Sequence, residues 1–158
     1  MNNSKLNFKS EKLFPWQFQF VGILSMLAGV VISLTNLLLA PILILIGILI
    51  LTAYRGILFN ASKRVYKDYN SFLGIQIGTE SSYESVEKIY INASNMSQTI
   101  YSRANNKAIA QYEEYNAYLK FGDGTKLFIC SSKNKSKLIE KLGVLKEFFQ
   151  LEVMDNTI

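Results

Sequence analysis

From Leu13 to Tyr54 the chain runs for 42 residues without an Asp, Glu, Lys or Arg. As one straight helix such a run would reach about 63 Å, roughly twice a bilayer hydrocarbon core of about 30 Å, so it must fold back. Ser33-Leu34-Thr35-Asn36 is the only polar interruption deep inside it. Splitting there gives apolar segments at about 16–34 and 37–54, each about 27 to 28 Å long as a helix. Asn36 suits a tight turn, and Pro41 falls in the first turn of the second helix, where its missing N–H costs least. The pattern predicts an N-terminal transmembrane helical hairpin over residues 13–54.

The flanks predict its orientation. Lys5, Lys9 and Lys12 precede the first helix, Arg55, Lys63, Arg64 and Lys67 follow the second, and the connecting turn is uncharged. By the positive-inside bias both termini are expected in the cytoplasm, with two spans in a membrane read as the bacterial inner membrane. Phe14, Trp16 and Tyr54 gather at the same end, as interfacial anchors do. The first apolar stretch exceeds the usual 7 to 15 residues of a signal-peptide core, and Ser33 and Thr35 make a poor cleavage site.

Composition divides the remainder. Residues 1–12 read as a polar cytoplasmic tail, and residues 55–158 as one cytoplasmic domain. Residues 1–67 carry seven basic and one acidic side chain, whereas residues 68–158 are close to neutral. Basic charge crowded beside an apolar run fits topology and anionic lipid rather than a phosphate-tracking groove, so no nucleic-acid partner is expected. Arg55, Lys63, Arg64 and Lys67 are the candidate anionic-lipid contacts. A single cysteine, Cys130, excludes an intramolecular disulfide.

Periodicity then fills in the elements. In the first helix Gly22, Ser25, Gly29 and Ser33 recur at spacings of three and four and form a small-residue face suited to close helix packing. Its partner is the second helix, another protein's helix, or a second copy. After Gly56 the period becomes two: Ile57–Ala61, Arg64–Phe72, Ile89–Ala93, Thr99–Arg103, Tyr115–Phe121 and Thr125–Ser131 read as strands. The stretch from Gly74 to Ser85 reads as a loop, Asn105-Asn106 as a turn, and Gly122-Asp123-Gly124 as a hairpin turn. Leu138, Leu142, Leu145 and Phe149 repeat at helical spacing over about 134–150, with Ser132 or Asn134 as cap. The fold class is therefore a transmembrane hairpin followed by an α+β domain, a bent antiparallel sheet or small barrel with a C-terminal amphipathic helix.

A hairpin running directly into Gly56-Ile57-Leu58-Phe59 and Arg64-Val65-Tyr66-Lys67-Asp68-Tyr69, then further strands and a terminal helix, resembles the small bacterial membrane proteins with pleckstrin-homology-like cytoplasmic domains. The resemblance spans nearly the whole chain and rests on layout. It implies a bent sheet closed by the C-terminal helix, and a binding or scaffolding role.

Catalytic patterns are sparse. The chain has no histidine, which excludes histidine-based triads and histidine metal sites. Cys130 sits in a strand pattern with no base to activate it. Glu113 and Glu114 are adjacent and point to opposite faces of a strand, and the Ser-x-x-Lys matches at Ser85–Lys88 and Ser132–Lys135 lack companion motifs. No cofactor, metal or catalytic residue is assigned. The expected role is a non-enzymatic, membrane-anchored binding or scaffolding module, with the lipid bilayer and a membrane protein or second copy as partners through the first helix. The alternatives are a small subunit of a transporter or secretion complex whose hairpin docks partner helices, and a membrane enzyme acting on lipids.

Overall fold

Leu6, Phe8 and Ser10 alternate with Lys5, Asn7 and Lys9, and this period of two makes a strand of the segment read as a polar tail. The computed structural model describes residues 4–101 and 107–157. Strand β1 (Lys5–Lys12) pairs antiparallel with β2 (Tyr54–Asn60), from Lys5 opposite Asn60 to Lys12 opposite Tyr54, with an irregularity between Lys9 and Glu11. Between these neighbouring strands the chain makes helices α1 (Trp16–Ile32) and α2 (Leu39–Thr52).

The hairpin is present but shorter than the apolar run. Its helices have 17 and 14 residues, about 25 and 21 Å, against a hydrocarbon core of about 30 Å. Among the described residues no helix is long and apolar enough to cross a membrane. The transmembrane hairpin, its two spans, the integral-membrane reading and the inner-membrane placement with cytoplasmic termini are corrected accordingly. The uncharged run overstates helix length because Ser33 to Leu38 form the connection and Ala53, at φ −69° and ψ 125°, is already extended. Asn36 Oδ1 accepts from the N–H groups of Leu38 and Leu39, both at 3.2 Å, and so satisfies early donors of α2.

The helices meet along their small residues. Gly22, Gly29, Ala40 and Gly47 are buried, and Ser25 Oγ donates to the Leu43 carbonyl at 2.8 Å. A Cβ at Gly29 would lie 2.7 Å from Ile44 Cγ1, and one at Gly22 would lie 3.2 Å from Ile50 Cβ.

The chain divides into two units, one of Lys5–Ser81 and one beginning at Ser82. The first holds the hairpin and a sheet in the order β1-β2-β3-β4, with β3 at Val65–Phe72 and β4 at Ile75–Ser82. Strand β4 replaces the loop expected over Gly74–Ser85. Leu73 (φ 53°) and Gly74 (φ 85°) turn the chain into it, and Gly78 allows close approach to β3, since a Cβ there would overlap the Asp68 carbonyl oxygen. Phe8, Ala53, Ile57, Phe59 and Tyr69 are buried.

The second unit has the order β7-β6-β5-β8, with β5 at Val86–Tyr101, β6 at Lys107–Phe121, β7 at Lys126–Ser132 and β8 at Val153–Asp155. Strand β5 takes in both Ile89–Ala93 and the start of the strand expected at Thr99–Arg103; the end of that strand and the turn at Asn105-Asn106 lie outside the described residues. Helix α3 (Lys135–Phe149) buries Leu138, Leu142 and Leu145 against the sheet, alongside Ile89, Ile91, Leu119 and Ile129. Asn134 Oδ1 caps it by accepting from Lys137 N–H at 3.1 Å. Lysines at a helix N-terminus oppose its dipole, but here Lys135 pairs with Asp155 of β8 at 2.5 Å and Lys133 lies 4.1 Å from the Tyr112 ring centroid. The lysines thus tie neighbouring segments to the helix start.

Candidate functional site

The four basic residues singled out after the hairpin do not act together. Arg55 on β2 makes a two-pronged contact with Asp68 on β3, Nε to Oδ1 at 3.0 Å and Nη2 to Oδ2 at 2.6 Å. Donation to the Asp68 carboxylate raises the guanidinium pKa further. Arg55 is therefore a cross-strand link.

Arg64 occupies the β2–β3 turn in a left-handed conformation, φ 52°, and its N–H donates to the Ala61 carbonyl at 3.3 Å. Lys63 and Lys67 converge. Strand alternation puts Lys67 opposite Leu58, on the sheet face away from Arg55, and puts Lys5, Asn60 and Val65 in one row across three strands of that same face. Lys63 N–H donates to Asn60 Oδ1 at 3.2 Å, which fixes the turn beside that row.

These residues line a cavity of about 140 Å³ bounded by Lys5, Leu58, Asn60, Lys63, Val65, Lys67 and Glu80. Lys67 Nζ donates to the Gln76 carbonyl at 3.4 Å, and among the described residues none of the three lysines is ion-paired with a carboxylate. Lys5 was the contributor hidden in the supposed tail; the alternation of Leu6 and Phe8 with Lys5, Asn7 and Lys9 was the signal for it.

The small-residue face of α1 is occupied by α2 at Gly22, Ser25 and Gly29, whereas Ser33 is exposed and its Oγ donates to the Val30 carbonyl at 2.6 Å. The outward faces carry large apolar side chains instead. Trp16 is 73% exposed, Leu27 58%, Val31 67% and Leu38 84%. Sixteen large hydrophobic residues between Trp16 and Ile46 are exposed in all, a far wider apolar surface than a monomer ordinarily leaves uncovered.

Elsewhere the chemistry-bearing groups serve the fold. Cys130 is buried on β7, opposite Ala117. Asp123 accepts from Thr125 N–H at 2.9 Å within the β6–β7 turn, and Glu114 accepts from Ser131 Oγ at 2.9 Å. Among the described residues no group of three or more His, Cys, Asp or Glu could hold a metal ion. No protein-family model matches the chain, and no curated protein or solved structure matches it.

Proposed function

We propose that the chain is a non-enzymatic scaffolding module that self-associates through its helical hairpin, the apolar faces of α1 and α2 being covered by the same faces of a second copy. The observation that carries this reading is the exposed apolar surface between Trp16 and Ile46. A second copy suits it because residues 13–54 are uncharged, so two hairpins meet without like-charge repulsion or buried unpaired ions. Branched side chains at helical spacing form the ridges and grooves by which helices pack, and two hairpins make a four-helix bundle. The small-residue seam stays inside each hairpin.

The test is the mass of the full-length chain in buffer by light scattering, for wild type and for a Leu24→Lys, Leu27→Lys, Leu45→Lys variant. Wild type is expected as an oligomer and the variant as a monomer with its β-sheet circular dichroism retained. A wild-type chain that stays monomeric, or whose hairpin is covered only when lipid vesicles are added, overturns the reading.

A further inference from the structure

We propose that the cavity among Lys5, Lys63 and Lys67 is a binding site for a phosphate monoester. This site is separate from the hairpin surface and does not depend on self-association. Three cationic side chains from β1, the β2–β3 turn and β3 share one cavity of about 140 Å³ with a single carboxylate, Glu80. Like charges held together repel, and no protein carboxylate pairs with any of the three lysines among the described residues. An excess of two positive charges matches a dianion, and a phosphate monoester carries about −1.5 to −2 at pH 7. A single carboxylate ligand would leave the excess half compensated.

The neutral groups are arranged for the same ligand. Asn60 Oδ1 is occupied by the Lys63 N–H, which leaves its Nδ2 group to donate toward an anion. Leu58 and Val65 form the half-buried apolar part of the lining, against which a short carbon skeleton can pack. The volume falls below the roughly 300–1,000 Å³ of clefts for drug-sized ligands, so the cavity suits a phosphate group on a short carbon skeleton. Lysine ammonium groups serve here as point charges that need no planar, two-pronged geometry.

The experiment is calorimetric titration of the full-length chain with inorganic phosphate and with glycerol 3-phosphate, beside flotation with phosphatidylcholine vesicles with and without phosphatidic acid. Salt-sensitive binding is expected, weakened about tenfold by Lys63→Gln or Lys67→Gln, the loss of one charge-assisted contact. Glu80→Gln is expected to strengthen it and Arg55→Gln to leave it unchanged, a sign pattern that a purely structural role would not produce. Binding of the soluble phosphates with this pattern identifies a free phosphate as the source. Binding confined to phosphatidic acid vesicles with the same pattern identifies a lipid headgroup. No binding in either arm, or binding indifferent to Lys63, Lys67 and Glu80, overturns the site.

Discussion

Leu13 N–H donates to the Ala53 carbonyl at 3.2 Å, so the β1–β2 pairing continues past the irregularity between Lys9 and Glu11 to the base of the helical hairpin. Beside it, Lys12 Nζ donates to the Leu51 carbonyl at 2.8 Å and places a positive charge at the C-terminal end of α2, where the helix dipole favours it. The hairpin therefore stands on two paired strands rather than hanging from a linker.

Replacing residues 14–52 with a short Asn-Gly turn should leave the β1–β2 ladder intact, because its register is set by Phe8 and Ile57 on the buried face. Amide hydrogen exchange at Phe8, Ile57 and Phe59 should remain slow. Fast exchange at all three would show that the helices hold the strands together.

Gly29→Leu should drive the helices apart, because a Cβ there already lies 2.7 Å from Ile44 Cγ1 and 3.0 Å from the Ala40 carbonyl oxygen. Overpacking of this kind costs about 1–3 kcal/mol. Denaturant unfolding followed by helical circular dichroism should show the loss, with Gly29→Ala smaller than Gly29→Leu.

Asn134→Ala should destabilise α3 by about 1 kcal/mol through loss of the bond to Lys137 N–H. Asn134→Ser should recover most of it. Equal midpoints for all three chains would show that the cap contributes nothing.

Tyr69 should be among the last of the nine tyrosines to ionise. Its side chain is 1% exposed and its hydroxyl donates to Asn7 Oδ1 at 2.5 Å, and burial pushes its pKa up to about 12. A phenol whose folded value lies above an unfolded value of about 10 stays protonated in the native state while the unfolded chain ionises, so stability is full below pH 10 and falls as pH rises toward 12. Ultraviolet titration should show a late-ionising phenol that disappears in Tyr69→Phe, and that variant should lose less stability over the same interval.

Much of the architecture was legible because it is written in local periodicity. The turn near Asn36, the β2–β3 pair, the β6–β7 hairpin at Gly122–Gly124 and α3 all follow from alternation, turn residues or a helical stripe. Strands β1 and β8 were missed for one cause: the deciding partner was distant in sequence. Among the described residues strand β1 pairs only with β2, on the far side of the hairpin, and β8 pairs in parallel with β5 through Ile89 opposite Val153. Strand β4 looked like a loop because its Ser- and Thr-rich segment buries little, and Gly78 matters only once β3 lies beside it. The basic residues were visible as a set, but strand alternation separates Arg55 from Lys67; the alternation around Lys5 marks it as part of a strand, and the pairing of β1 with β2 brings it to the face of Lys67.

The insertion of α1 and α2 between adjacent strands also bears on how the chain reaches its fold. Lys12 and Tyr54 are distant in sequence, and closing so long a flexible loop is entropically unfavourable and slow. A helical pair zipped along Gly22, Gly29 and Gly47 brings its own ends together and turns that closure into a local event. Formation of the hairpin should then precede the sheet, so a lesion at Gly47 should slow refolding of β1 and β2, although that glycine packs against Gly22 and Met26 of α1.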